Sequence, residues 1–127
     1  MTKFKLTSRQ RIPHKRTVLD GFTFDSLDEA RRYKELKLIR MSNPDRVQNL
    51  VVHPRFVIIP KFTHKATGVT YRQSCYSPDF MYTNEDGRTI VEEVKSSYTA
   101  KERDYQLRKR ILLFKNMDIH FREIIYS

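Results

Sequence analysis

Asp79, Glu93 and Lys95 are of the residue types that hold a hard cation and steady developing negative charge, and they fall in one stretch, "YSPDFMYTNEDGRTIVEEVKSS". Side chains alternate along a strand, so Glu93 and Lys95 share one face while Glu92 and Val94 take the other. Asp86-Gly87 is a favoured hairpin connection. A hairpin there pairs the segment carrying Asp79 with the segment carrying Glu93 and brings two carboxylates and an ammonium to one patch. Carboxylates forced together repel, and a proton or a divalent cation has to relieve them. Mg²⁺ takes one or two carboxylates and keeps its other positions for water and substrate phosphate, which suits Asp79, Glu93 and a backbone carbonyl at Val94, with Mn²⁺ expected to substitute. Lys95 would then orient water or offset charge on a phosphorane. A surface ion pair is the commoner meaning of a lone Glu-x-Lys. The weight here comes from Pro78-Asp79 standing a strand and a hairpin ahead of it.

The elements that must position these groups are legible in outline. Ser26 followed by Glu29 has the spacing of a capping box and opens a helix with Leu27, Ala30, Tyr33, Leu36 and Ile39 along its apolar stripe. Pro44 stops it. "LVVHPRFVIIP" reads as a strand, bulged or at an edge near Pro54; "VTYRQSCYSPDFMYT" reads as a long second strand and "RTIVEEVKSS" as a third. Thr99 and Glu102 repeat the capping spacing before a second helix with Leu107, Ile111 and Phe114 facing inward. "DIHFREIIY" is a fourth strand. The expected fold class is α/β, a mixed central sheet flanked by helices, in the order helix, three strands, helix, strand.

A chain of 127 residues fits one domain, here residues 20–127 behind a basic arm over residues 1–19. The lone Cys75 forms no intrachain disulfide, and His14, His53, His64 and His120 lack the paired spacing of a zinc site. No apolar run approaches the roughly 18 residues needed to span a bilayer, and the basic N-terminus is followed by polar residues, so neither a membrane nor a signal peptide is expected, and the setting is cytoplasmic. A net charge of +10 makes a polyanion, first of all nucleic acid, the expected partner.

"SPDF" followed by "VEEVKS" on this order of elements resembles the PD-(D/E)XK nuclease superfamily. "DGFTFDSLDEARRYKEL", "YSPDFMY", "VEEVKS" and "YQLRKRILLF" together resemble a small phage-associated family within it, long carried as a domain of unknown function. The resemblance covers Asp20 to the C-terminus and departs from the pattern at Glu93, where Asp is commoner, and at Ser96, where Gly is commoner. It implies a restriction-endonuclease-like αβββαβ core and a Mg²⁺-dependent DNA endonuclease, encoded by a phage and acting in the host cytoplasm. Asp79 and Glu93 would be metal ligands and Lys95 catalytic. It also implies an acid from the first helix in the metal site, which is Glu29 unless Glu29 serves only as the cap partner of Ser26.

For DNA-backbone contact the resemblance favours Tyr105, Arg108 and Lys109 of the second helix, and Lys101, at the start of the same basic stretch just after the Glu-x-Lys strand, is placed to join them. His14, Lys15 and Arg16 of the arm make a second phosphate clamp. Selectivity for branched DNA or a Holliday junction, in recombination or replication, is the role implied by association. Paired incision of such a junction requires a homodimer, whose surface no apolar stripe in the sequence identifies. A degradative or nicking endonuclease and a non-catalytic nucleic-acid-binding module are the alternatives.

Overall fold

The hydroxyl of Ser26 accepts the backbone N–H of Glu29 at 3.1 Å and so caps the first helix, α1 (Leu27–Ser42), whose first turn also carries Asp28 and Glu29 toward the positive end of its dipole. The computed structural model describes residues 16–126, so His14, Lys15 and most of the basic arm lie outside the described residues. Ahead of α1 a small hairpin pairs β1 (Thr17–Leu19) with β2 (Phe22–Phe24). Thr17–Leu19, the last residues of the expected arm, is thus paired, and Leu19 packs on the core. Asp20 in its turn accepts bonds from Tyr33 and Lys37 of α1, tying the hairpin down.

The central sheet has four strands: β3 (Gln48–Val52), β8 (Phe80–Thr83), β9 (Thr89–Lys95) and β10 (His120–Ile125), in the order β10-β9-β8-β3. The pairing of β9 with β10 is parallel and the others are antiparallel, so the protein is mixed α/β with a mixed sheet and two helices. Parallel neighbours need a crossover, which the second helix, α2 (Arg103–Lys115), supplies. One face of the sheet packs under α1 through Phe24, Ala30, Tyr33, Leu36, Phe80 and Ile90. Tyr76, Tyr105 and Leu112, with Phe121, make the smaller core under α2. No helix is long and apolar enough to cross a membrane.

Both long strands expected ahead of the Asp86-Gly87 turn are broken. His53 sits at φ 54°, a left-handed conformation that ends β3, and the chain resumes after Pro54 as β4 (Phe56–Ile59). The expected second strand divides into β6 (Thr70–Tyr71), β7 (Ser74–Tyr76) and β8. β4 pairs with β7, and beyond it β5 (Phe62–Thr63) pairs with β6, so a two-stranded ribbon leaves the domain between β3 and β8.

Two expectations for α2 are also corrected. Thr99 opens a short 3₁₀ turn and exchanges hydrogen bonds with Ser96, and Glu102 precedes the helix without a side-chain cap. The inward face carries Tyr105 and Leu112, whereas Leu107 and Phe114 stand exposed. Lys109 takes the place an apolar residue would have on the inward stripe. Its ammonium lies 5.6 Å from the centre of the Tyr105 ring and 5.4 Å from that of Phe121, and reaches Glu123 at 3.1 Å.

Candidate metal centre

Asp79 is the residue just before β8, and its backbone joins two neighbours of that strand. Its N–H donates to the Glu92 carbonyl at 3.0 Å, and its carbonyl accepts the His53 N–H at 2.8 Å. The left-handed turn that ends β3 therefore sets the imidazole of His53 beside the carboxylate of Asp79. Glu29 arrives from the capped end of α1, and its carboxylate lies 3.6 Å from His53 Nε2. Ligand atoms of Glu29, His53 and Asp79 all fall within 4.8 Å of one another, a donor set that could hold a metal ion. Glu29 is thus both the residue whose N–H is capped and an acid of the cluster.

On the other side of Asp79 stands Glu93, close enough for the two carboxyl groups to hydrogen-bond. Both are only 7% exposed. Neighbouring donors fix their orientation: Val94 N–H gives 2.7 Å to Asp79 Oδ2, and the Tyr76 hydroxyl gives 2.5 Å to Glu93 Oε1. Burial, then the charges of Glu93 and Glu29, push the Asp79 carboxyl up to about 9. Burial raises Glu93 as well. Lys95 is the nearby cation that opposes that rise, and its ammonium rests 4.5 Å from the centre of the Tyr105 ring. It lines two clefts. One of about 350 Å³ is walled by Tyr76, Glu93, Tyr105 and Arg108, and one of about 260 Å³ by Ser26, Glu29, Ser96 and Thr99.

Glu92 belongs to the opposite face of β9 and is fully buried. Arg32 of α1 holds it through two bonds of 2.7 Å, and the Tyr82 hydroxyl adds one of 2.5 Å. Both its carboxylate oxygens are thus taken up by Arg32 and Tyr82, and only its backbone carbonyl meets Asp79.

The expected DNA-contacting residues of α2 are divided by the structure. Lys101 and Arg108 are exposed, with Arg108 3.4 Å from Asp104. Tyr105 is buried and donates to Glu123 at 2.6 Å, and the half-buried Lys109 shares that acceptor. Arg16 is exposed beside Asp25 at 3.8 Å, and His14 and Lys15 lie outside the described residues. His53 is the site residue that spacing did not reveal. Its signal was the His-Pro interruption of an otherwise apolar strand, which marks where the backbone turns.

A prediction about pH follows from Asp79. Unfolded, its carboxyl titrates at the ordinary value of 3.8; folded, near 9, so between those values the native state holds the extra proton. Stability of the cation-free protein therefore falls as pH rises through this window. A divalent cation replaces the proton, so the rise in Tm on adding Mn²⁺ should grow with pH, reaching the stabilisation of about 2.7 kcal/mol expected at a hundred times Kd. Thermal melts from pH 5 to 9 in EDTA and in Mn²⁺ measure both slopes; a cation effect independent of pH would contradict the assignment.

The fold and the site define the class as a mixed α/β protein whose sheet carries a buried acidic cluster beside a lysine. The chain belongs to the family described as Protein of unknown function (DUF1064), whose model matches residues 9–127. Neither the curated proteins nor the solved structures include a match to this chain.

Proposed function

We propose that the protein is a divalent-cation-dependent DNA endonuclease with a restriction-endonuclease-like core of the PD-(D/E)XK type. The observation that carries this reading is Asp79 and Glu93 buried against each other, with Glu29 and His53 on one side and Lys95 at the cleft. The element order α1, β3, β8, β9, α2, β10 supports it too, with the β4–β7 ribbon as an insertion. A purely structural acid pair would be neutralised from within the core, as Glu92 is by Arg32. Among the described residues no basic side chain is paired with Asp79 or Glu93 in this way; their donors are a backbone N–H and a phenol.

This donor set fits a hard divalent cation, held by Asp79 and Glu93 with Glu29 and His53. The imidazole nitrogen shifts preference from Mg²⁺ toward Mn²⁺. When bound, such a cation polarises a phosphoryl oxygen and lowers the pKa of nearby water. The chain's own residues do the rest. Tyr76 and Val94 fix the carboxylates, the Tyr105 ring holds the Lys95 ammonium at the mouth of the cleft, and that ammonium offsets charge on the phosphate during hydrolysis. Arg108 and Lys101 are placed to meet flanking phosphates. Action on branched DNA in a phage setting remains part of the proposal through the resemblance.

Supercoiled plasmid, linear duplex and a four-way junction, each with Mg²⁺, Mn²⁺ or EDTA, test it directly. Cutting should require the cation, with Mn²⁺ effective at lower concentration. Lys95→Ala should lose about 10²–10³ in rate, the cost of one electrostatic donor, while keeping its Mn²⁺-dependent Tm rise. Tight DNA binding with no cutting under any cation would replace the enzyme with a binding module.

A further inference from the structure

The ribbon inserted between β3 and β8 ends in a hairpin that belongs to neither hydrophobic core of the described residues. Every residue from Ile59 to Ser74 is exposed. An isolated two-stranded hairpin is at best marginally stable in water. This one is nonetheless internally ordered. His64 N–H donates to the Val69 carbonyl and Gly68 N–H to the His64 carbonyl, both at 2.8 Å, and the hydroxyls of Thr63 and Thr70 meet at 2.9 Å. Gly68, at φ 72°, supplies the left-handed turn residue.

Its composition is one-sided. Between Asp45 and Asp79 the chain has no acidic residue, and the hairpin carries Lys61, Lys65 and Arg72. No described carboxylate pairs with any of the three. Directly opposite each other across the two strands, Phe62 and Tyr71 stack at 5.2 Å with their planes 22° apart. They stay 45% and 49% exposed, a flat apolar surface bordered by cations.

We infer that the β5–β6 hairpin is a nucleic-acid-contacting arm, in which Lys61, Lys65 and Arg72 meet phosphates and the Phe62–Tyr71 pair seats an exposed base. The choice of DNA as its partner rests on the nuclease reading. Aromatic faces and lysines or arginines interleaved on one exposed element match the two needs of such a ligand, charge along the backbone and a π surface at the base. Continuous duplex hides its base faces; ends, gaps and branch points do not. The arm therefore supplies a preference for interrupted or branched DNA over intact duplex. It is joined to the cleft, because the same ribbon runs back through β7 to Tyr76, which holds Glu93. At about 3.3 Å per residue the tip stands on the order of 20 Å beyond β7. That is roughly half a duplex turn of about 34 Å.

Fluorescence anisotropy with labelled linear duplex, single strand and four-way junction, in EDTA over a salt series, separates the contributions. Phe62→Ala/Tyr71→Ala should weaken junction and single-strand binding about tenfold and duplex binding much less, erasing the preference. Lys61→Ala/Lys65→Ala/Arg72→Ala should weaken all three and flatten the logarithmic salt slope by about 0.9 for each duplex phosphate that is no longer neutralised. Both variants should keep the wild-type Tm and its Mn²⁺-dependent rise, since the arm contributes nothing to either core. Equal affinities of wild type and both variants for every DNA would overturn the proposal and leave the arm for an acidic protein partner, even if the wild type cuts. Arm-dependent binding by a protein that cuts nothing would uphold the arm and sink the nuclease.

Discussion

Asp79→Asn is expected to leave the cation-free protein at least as stable as wild type while removing both its cation-dependent Tm rise and its cutting of DNA. Asn keeps an oxygen to accept the Val94 N–H, a bond of 2.7 Å in the native site. It cannot repel Glu93 or Glu29, and it takes up no proton on folding. Wild-type Asp79 must take one up between its unfolded value of 3.8 and about 9, so the gain in stability should grow as pH rises across that window. The loss of cutting should exceed about a hundredfold, the upper end of what removing a mere outer-shell partner costs a metal site. Melts in EDTA and in Mn²⁺, beside a plasmid assay, give all three quantities. A variant that is stabilised and inactive marks Asp79 as a residue kept for chemistry at a cost to the fold. One that melts early, or still responds to Mn²⁺, removes Asp79 from the centre of the site.

Arg32→Met should have the largest effect on stability. The guanidinium makes two 2.7 Å bonds to Glu92, which is fully buried on the central strand β9, and a third bond of 3.1 Å to Glu35. Taking away the cation leaves a buried carboxylate with only the Tyr82 hydroxyl, at a cost of about 3–5 kcal/mol. For a domain of this size that corresponds to a fall in Tm of more than about 10 °C. Replacing both partners with apolar residues should recover most of the loss, because a buried ion pair contributes little net stability over well-packed hydrocarbon. Thermal and urea unfolding of Arg32→Met, Glu92→Met and the double variant would show this. Additive losses would mean that the two side chains do not act as a pair.

The two neighbouring glutamates thus have opposite fates, one neutralised inside the core and one left against Asp79. Alternation along a strand separates them by face, and any strand containing "VEEVKS" must do so. Which face would carry the arginine was outside its reach. Arg32 reaches Glu92 from α1, distant in sequence, and only packing of the helix on the sheet brings them together.

Local covalent chemistry determined what was legible from the residues alone. Ser26 caps α1, Pro44 follows its end, Asp86-Gly87 turns β8 into β9, and the alternation along β9 puts Glu93 and Lys95 on one side. Each depends on atoms a few bonds or one helical turn apart. Tertiary structure decided the rest. The left-handed turn at His53 broke one expected strand and delivered an imidazole to the acids, a result that needs the His53 N–H to find the Asp79 carbonyl. The rotation of α2, which buries Tyr105 and exposes Leu107 and Phe114, depends on what β10 presents, namely Glu123 as the shared acceptor for Tyr105 and Lys109. The separation of β6, β7 and β8 into a ribbon and a core strand depends on which segments find partners. Periodicity reports the potential of a segment to pair, and only the assembled sheet decides with whom.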